Sequence, residues 1–389
     1  MSQTPNPSPR GTRERALLSV RILYFIFFAA QGAYFTFVNV YFRSIGLSGA
    51  QIGVINTIGP LVAMFSGALW GMLSDRFGRT RLLLMAATTG VMATVLLMST
   101  AGTFGAIVLV VGAFAVFASA IMPLVDSTAL ALLGDRRDRY GSLRIWGSIG
   151  FIMTSSVIGA VVEQAGLRFI FYGYAGFMVL HLIALLGLPN QPVQLGGSML
   201  RGLTSLIRQP SWLVFSASVL LIGIAGNGMG NFLSVTVKAM GGPDMLVGLA
   251  WTVAAASELP VMAFGARLLG RFGAPRLLAV AFAMYTVRMV LYSAMPSPYW
   301  VLFINLLGGA SFALYWIAAV TYANQLAPAS LKATSQGLLM TASNLAGVVG
   351  STFSGLLFDA AGPAGMFRIL ALFSATALLL FVVGRRLTR

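Results

Sequence analysis

The 389-residue sequence contains no cysteine, which excludes disulfides, thiolate metal sites and a cysteine nucleophile. Its single histidine, His181, leaves no material for a histidine-built zinc site or a histidine-centred triad. Neither a metal nor a cofactor is expected, and no catalytic residue set is present. Charge is scarce as well: Asp, Glu, Lys and Arg make up 9% of the chain, where a soluble domain has about 25%. Such a chain cannot solvate its own surface in water. With 58% hydrophobic residues, lipid is the solvent it suits. Nine acids against 25 cations leave a net charge of +16. That excess raises nucleic acid or an anionic surface as partners, and the placement of the cations decides the matter.

Residues 1–17 are polar, basic and proline-rich at the start, and read as a disordered tail. The apolar run from Ala16 to Phe42 is too long for a signal-peptide core and reads as a first membrane span. Charges and Gly/Pro clusters divide the rest into spans of about 20 residues or more. The expected spans are 18–42, 49–74, 82–100, 104–133, 141–162, 169–189, 211–237, 245–269, 277–295, 299–325, 333–358 and 365–384. Of the 25 cations, 19 fall in the two tails and alternate loops, among them Arg76, Arg79, Arg136, Arg201, Arg267, Lys332 and Arg385. The opposite loops hold four, Arg43, Arg168, Lys238 and Arg368. By the positive-inside rule both termini are cytoplasmic. The charge excess is therefore a topology signal, and nucleic-acid binding is not needed to explain it. The expected location is the cell (inner or plasma) membrane, multi-pass.

An internal repeat is present. Arg76-Phe77-Gly78 recurs as Arg271-Phe272-Gly273, 195 residues on, and Gly159…Glu163…Gly166 recurs as Gly355…Asp359…Gly362, 196 residues on. The chain reads as two six-span halves, 18–189 and 211–389, joined by a cytoplasmic linker at 190–210. Parallel halves of this kind place a solute site between them near the midplane, with access alternating by rocking.

The stretch 71–81, with Gly71, Asp75, Arg76, Gly78, Arg79 and Arg81 between spans 2 and 3, resembles the signature loop of the major facilitator superfamily. The resemblance implies an all-α membrane protein of about twelve transmembrane helices in two pseudo-symmetric six-helix bundles. It also implies that Gly71, Asp75, Arg76, Gly78 and Arg79 form a cytoplasmic gate motif. The second copy has Gly270 in place of Asp75, which weakens any latch there.

Two acids and two arginines lie inside spans: Asp126, Arg144, Glu258 and Arg288. An ionised side chain at mid-bilayer costs at least about 2.5–3.5 kcal/mol, so such groups face a cavity or partners. Two pairs are expected from neighbouring spans, Asp126 with Arg144 and Glu258 with Arg288. Their alternative role is structural, fixing helix packing. Pro123 to Asp126 and Tyr140 to Ser148 resemble the span 4–5 region of the lactose permease and phenylpropionate permease branch. That resemblance implies solute binding by Asp126 and Arg144, and proton coupling by Glu258 and Arg288. The branch has a histidine and a glutamate on span 10 where Gly308 and Ser311 stand here, so its full proton relay is not carried over. Gln31, Asn227 and Asn231 are polar groups on expected path helices, and Trp146 and Trp316 are candidate stacking partners for a planar solute. His181 reads as a neutral packing residue.

The expected function is secondary active transport of a small organic solute, a sugar, nucleoside or aromatic acid, as a proton symporter working by alternating access. A drug or metabolite exporter, or an uncoupled facilitator, is the alternative. The expected partners are the solute, protons and the lipid bilayer, with the chain a monomer. An intramembrane enzyme lacks its residues, and a receptor gives no reason for buried charges in a two-half repeat.

Overall fold

The computed structural model describes residues 10–134, 136, 139–188 and 206–387, without the side chains of residues 10–13, 67, 68, 71, 74, 75, 77 and 329. Helices dominate because a backbone in lipid must satisfy its own N–H and C=O groups within the segment. They are α1 (Arg10–Ser44), α2 (Gly49–Phe77), α3 (Thr80–Met98), α4 (Phe104–Leu133), α5 (Tyr140–Ala165), α6 (Phe169–Leu185), α7 (Pro210–Ala239), α8 (Asp244–Phe272), α9 (Ala274–Ser293), α10 (Trp300–Leu326) and a final run Lys332–Leu387. That 56-residue run is broken at Gly362 (φ 67°, ψ 179°), with Pro363 next. We label its parts α11 (332–361) and α12 (363–387). Among the described residues ten runs are long and apolar enough to cross a membrane. Counting the broken run twice and adding the 17-residue α6 gives the expected twelve.

The largest boundary difference is at the start of α1; the others amount to four residues or fewer. Residues 10–17, expected in the disordered tail, extend α1 by two turns. No proline follows Pro9 there, and Arg and Glu are good helix formers. The tail residues 1–9 and most of the 190–210 linker lie outside the described residues.

The repeat is visible in the backbone. Among the described residues seven glycines have positive φ, and six of them pair across the halves: Gly46 with Gly241, Gly78 with Gly273, and Gly166 with Gly362. The first pair, absent from the sequence reading, ends α1 and α7 at equivalent points. Within the first half α1 packs on α5 and α6, α3 on α4 and α6, and α2 on α4. In the second, α7 packs on the α11–α12 run, α8 on α10, and α9 on both.

Two seams join the bundles, α2 with α11 and α5 with α8. Both sit toward the end opposite the chain termini, called here the far end. A Cβ on Gly53 would come within 2.6 Å of the Ser351 carbonyl oxygen, and one on Gly159 within 2.7 Å of that of Asp244. Gly355 likewise faces the Gly49 carbonyl, and Gly248 that of Ser155. These helices touch backbone to backbone. Polar contacts add to these seams: Ser155 and Ser156 each lie 3.0 Å from Thr252, and beside them Asn39 Nδ2 of α1 donates to the Asn231 carbonyl of α7 at 2.9 Å. The Asp359 carboxylate on α11 accepts from the Gly49 and Ala50 amides at 2.8 Å each, capping α2 from the other bundle. Arg43 Nη1 stands 3.9 Å from the same carboxylate.

Candidate solute site

On α1, the positions Tyr24, Phe28, Gln31 and Phe35 recur at three- and four-residue spacing and so share one face. That stripe faces the charges on α4 and α5. Asp126 Oδ1 accepts the Tyr24 hydroxyl at 2.5 Å and the Tyr140 hydroxyl at 2.9 Å. The two phenols meet edge to face, with centroids 6.5 Å apart. Arg144 lies with its guanidinium carbon 3.9 Å from the Phe28 centroid and 5.7 Å from that of Tyr24. A cation over a ring contributes about 0.5–2 kcal/mol, more as water is removed.

Asp126 and Arg144 therefore do not form the expected ion pair. Among the described residues the ion pairs are Arg43–Asp359 and Lys238–Asp244. The reason is helix placement: α5 packs chiefly on α1 and α8 and has only a slight contact with α4. Tyr24 and Tyr140 fill the intervening space and take over the aspartate. The charge acting on Glu258 is Arg144, across the seam between bundles.

The second expected pair, Glu258 with Arg288, is likewise unformed. Arg288 points into the second bundle and is 2% exposed. Its Nη1 donates to Ser311 Oγ at 2.8 Å and its Nη2 to the Tyr292 hydroxyl at 3.3 Å. The Tyr292 hydroxyl bonds in turn to Asn305 Oδ1, and Asn305 Nδ2 donates to the Ala250 carbonyl of α8 at 2.7 Å. Packing of α9 on α10 and α11–α12 rather than on α8 explains this orientation. Tyr285 interacts electrostatically with both Arg288 and Glu258.

Other candidates separate. Trp146 is 41% exposed and shares the outward stripe of α5 with Met153 (56%) and Val157 (60%). Two residues along a helix turn the side chain by roughly 200°, so Trp146 cannot share the face of Arg144. Trp316 stacks on Phe312 (6.4 Å, 13°) one turn away. Asn231 Nδ2 donates to Ser351 at 2.8 Å, joining α7 to α11, and Asn227 Nδ2 bonds its own helix at Gly223. Gln31 keeps its place on the α1 stripe. In the gate motif Arg76 and Arg79 are exposed and Gly78 has φ 58°; Gly71 lies in α2, and the side chain of Asp75 lies outside the described residues. His181 is fully buried, with Nδ1 3.1 Å from Thr88 Oγ1.

Sequence reasoning did not assign the phenols Tyr24 and Tyr140, the stacking ring Phe28, or Tyr292 and Asn305. The spacing of Tyr24, Phe28 and Gln31 was a usable signal. The Tyr292–Asn305 contact crosses two helices and had none.

A cavity of about 260 Å³ opens among α1, α2 and α4, with Tyr34, Phe35, Val38, Asn39, Phe114 and Ala115 in its wall. Phe35 at its rim meets Trp251 of the other bundle edge to face, 5.0 Å between centroids.

With this geometry in hand, likeness to known proteins is informative. The MFS_1 like family matches residues 17–369. The maltose permease of Geobacillus stearothermophilus is 32% identical over 330 residues, 83% of this chain and 82% of that protein. The probable 3-phenylpropionic acid transporter of Escherichia coli (strain K12) is 28% identical, over 92% of this chain and 95% of its own. Among solved structures, the nucleoside transporter NupG superposes with a TM-score of 0.83 at 18% identity, covering 95% of this chain and 98% of that one. A bacterial homolog of the human lysosomal transporter Spinster gives 0.80 at 15% identity, over 97% and 98%.

Proposed function

We propose a function from one premise: the chain belongs to the MFS_1 like family and is an integral membrane transporter of small solutes, not an enzyme. On this reading it is a secondary transporter of a small organic solute, taken up with protons by alternating access. The solute binds among Asp126, Arg144 and the α1 stripe, with Glu258 closing the site from the second bundle.

The observation that supports this best is the electrostatic interaction of Arg144 in the first half with Glu258 in the second. One group belongs to each rocking body, so relative motion of the bundles changes their interaction directly. Closure of the far end by the α2–α11 and α5–α8 seams puts this conformation with its site opening toward the end that bears the termini. The positive-inside count supports reading that end as cytoplasmic, with the 71–81 loop as part of its gate.

The test is uptake into proteoliposomes of maltose, 3-phenylpropionate and a nucleoside, with and without an imposed inward proton gradient. Gradient-driven accumulation of one of them that fails in Glu258→Gln, while exchange persists, is expected. Uptake indifferent to the gradient and to Glu258→Gln would refute the coupling. A facilitator without coupling is the second reading. It is favoured by Gly308 and Ser311, which accept hydrogen bonds from Arg288 and offer no group that exchanges protons near neutral pH.

A further inference from the structure

We infer that Arg144 is the docking point for a carboxylate on the transported solute, and that Tyr24 and Tyr140 make it so by holding Asp126 away from it. The inference rests on the transport reading and names the solute class for the same site.

Among the described residues Arg144 makes no hydrogen bond or ion pair, although it lies in an apolar span. Phe28 occupies one face of the guanidinium, at 3.9 Å. Stacking consumes the face and leaves the edge. That edge presents N–H donors in a fixed fork, the geometry that a carboxylate meets with two parallel bonds. Asp126, the acid expected to fill the fork, is occupied elsewhere. Two phenolic hydroxyls from two different helices donate to its Oδ1, at 2.5 and 2.9 Å. They compensate its charge without a cation and fix its position. A neutral polyol reaching Arg144 would leave the fork without an anion bonded to it. A carboxylate would supply one.

Glu258 is the competing anion. It interacts electrostatically with Arg144 from the other half and with Tyr285 on α9, which also interacts with Arg288, and the Gly309 backbone of α10 packs against its own amide. One guanidinium serves two carboxylates poorly, so arrival of the solute anion goes with arrival of a proton on Glu258. The loaded carrier then moves one negative solute and one proton, with no net charge.

The rest of the solute is apolar. Phe35, in the wall of the 260 Å³ cavity, lies two turns or roughly 10 Å along α1 from Phe28. That wall is mostly apolar, with Tyr34, Phe35 and Phe114, and its amides are Asn39 and Asn56. A carboxylate on a short chain that ends in a ring or a branched alkyl group matches this layout.

The test measures binding to the purified full chain by thermal shift, with 3-phenylpropionate and a small series of aryl and alkyl acids, the neutral 3-phenylpropanol, and maltose. At least one acid is expected to bind ten-fold or more tightly than its alcohol. That preference should vanish in Arg144→Gln. Tyr24→Phe/Tyr140→Phe should weaken the acid about ten-fold by releasing Asp126 onto Arg144, and adding Asp126→Asn should restore it. Tyr140→Phe alone, which removes one donor, should give a smaller loss in the same direction if the double variant folds poorly. Uptake of the acid should not respond to membrane potential. Equal binding of acid and alcohol, inertness of every acid, or acid affinity unchanged by loss of the phenols would overturn the inference. Uptake of maltose with all acids inert would overturn it while leaving the transport reading standing. Failure of every solute to cross proteoliposomes would count against both.

Discussion

Replacing Asp359 by Asn should shift the resting conformation toward an open far end. The Asp359 carboxylate bonds two α2 amides, Gly49 and Ala50, at 2.8 Å each, and draws Arg43 at 3.9 Å. A hydrogen bond to a charged group contributes about 1.5–3 kcal/mol, and an anion at a helix N-terminus a further 0.3–1 kcal/mol or so. Asn keeps one acceptor and loses the charge. The side chain is 32% exposed, so water screens part of the loss. About 1–2 kcal/mol remains, a factor of roughly 5–30 in the ratio of closed to open. The native absence of cysteine makes the assay clean. Val235, 3% exposed in the far half of α7, is replaced by Cys and labelled from the far side with a membrane-impermeant maleimide. Labelling should accelerate by the same factor in Asp359→Asn. A rate within two-fold of the parent, with Gly248→Trp labelling fast in parallel, would refute the capping argument.

Gly248→Trp should itself force the far end open, because even a Cβ there meets the Ser155 carbonyl; fast labelling at Val235→Cys together with lost uptake is the expected pair of results. Ser311→Ala removes the closest acceptor of Arg288 (2.8 Å) inside the second bundle, and should lower stability by about 1–3 kcal/mol in a denaturant or thermal series. Trp146→Ala, on the outward stripe of α5, should leave solute affinity within two-fold by direct binding; a loss of ten-fold or more would put the ring back in the site.

The spans, their number and the two-half organisation were legible because each rests on short-range information: runs of apolar residues, and glycines at fixed offsets. Gly78 and Gly273 could be matched by eye because Arg-Phe precedes each, whereas Gly46 and Gly241 share no neighbours and paired only through their dihedral angles. Asp126, Arg144 and Glu258 were legible as candidate site residues because charge in lipid is rare. Their partners were not. Which acid meets which arginine depends on the lateral order of helices, and α4 and α5 are consecutive in sequence but only slightly in contact in space. Tyr24 and Tyr140, 116 positions apart, converge on Asp126 only because α1 packs beside α5. Trp146 lies two residues from Arg144 in sequence, but on a helix that spacing puts it on a different face. The gate acid Asp75 was readable as a motif residue, and its side chain lies outside the described residues.

The seams that close the far end are made largely of glycine and carbonyl oxygen, and this bears on the temperature response of the carrier. Glycine has no rotamers to lose, whereas immobilising a long side chain costs up to about 2 kcal/mol of entropy. A gate of interdigitated leucines or lysines would gain entropy on every opening and would loosen on warming. Here opening releases almost no side-chain freedom along α2–α11 and α5–α8, and what changes is mainly the hydration of a few carbonyls and hydroxyls. The balance between closed and open should therefore drift little with temperature, and a carrier built this way would keep its resting orientation across the range in which its membrane stays fluid.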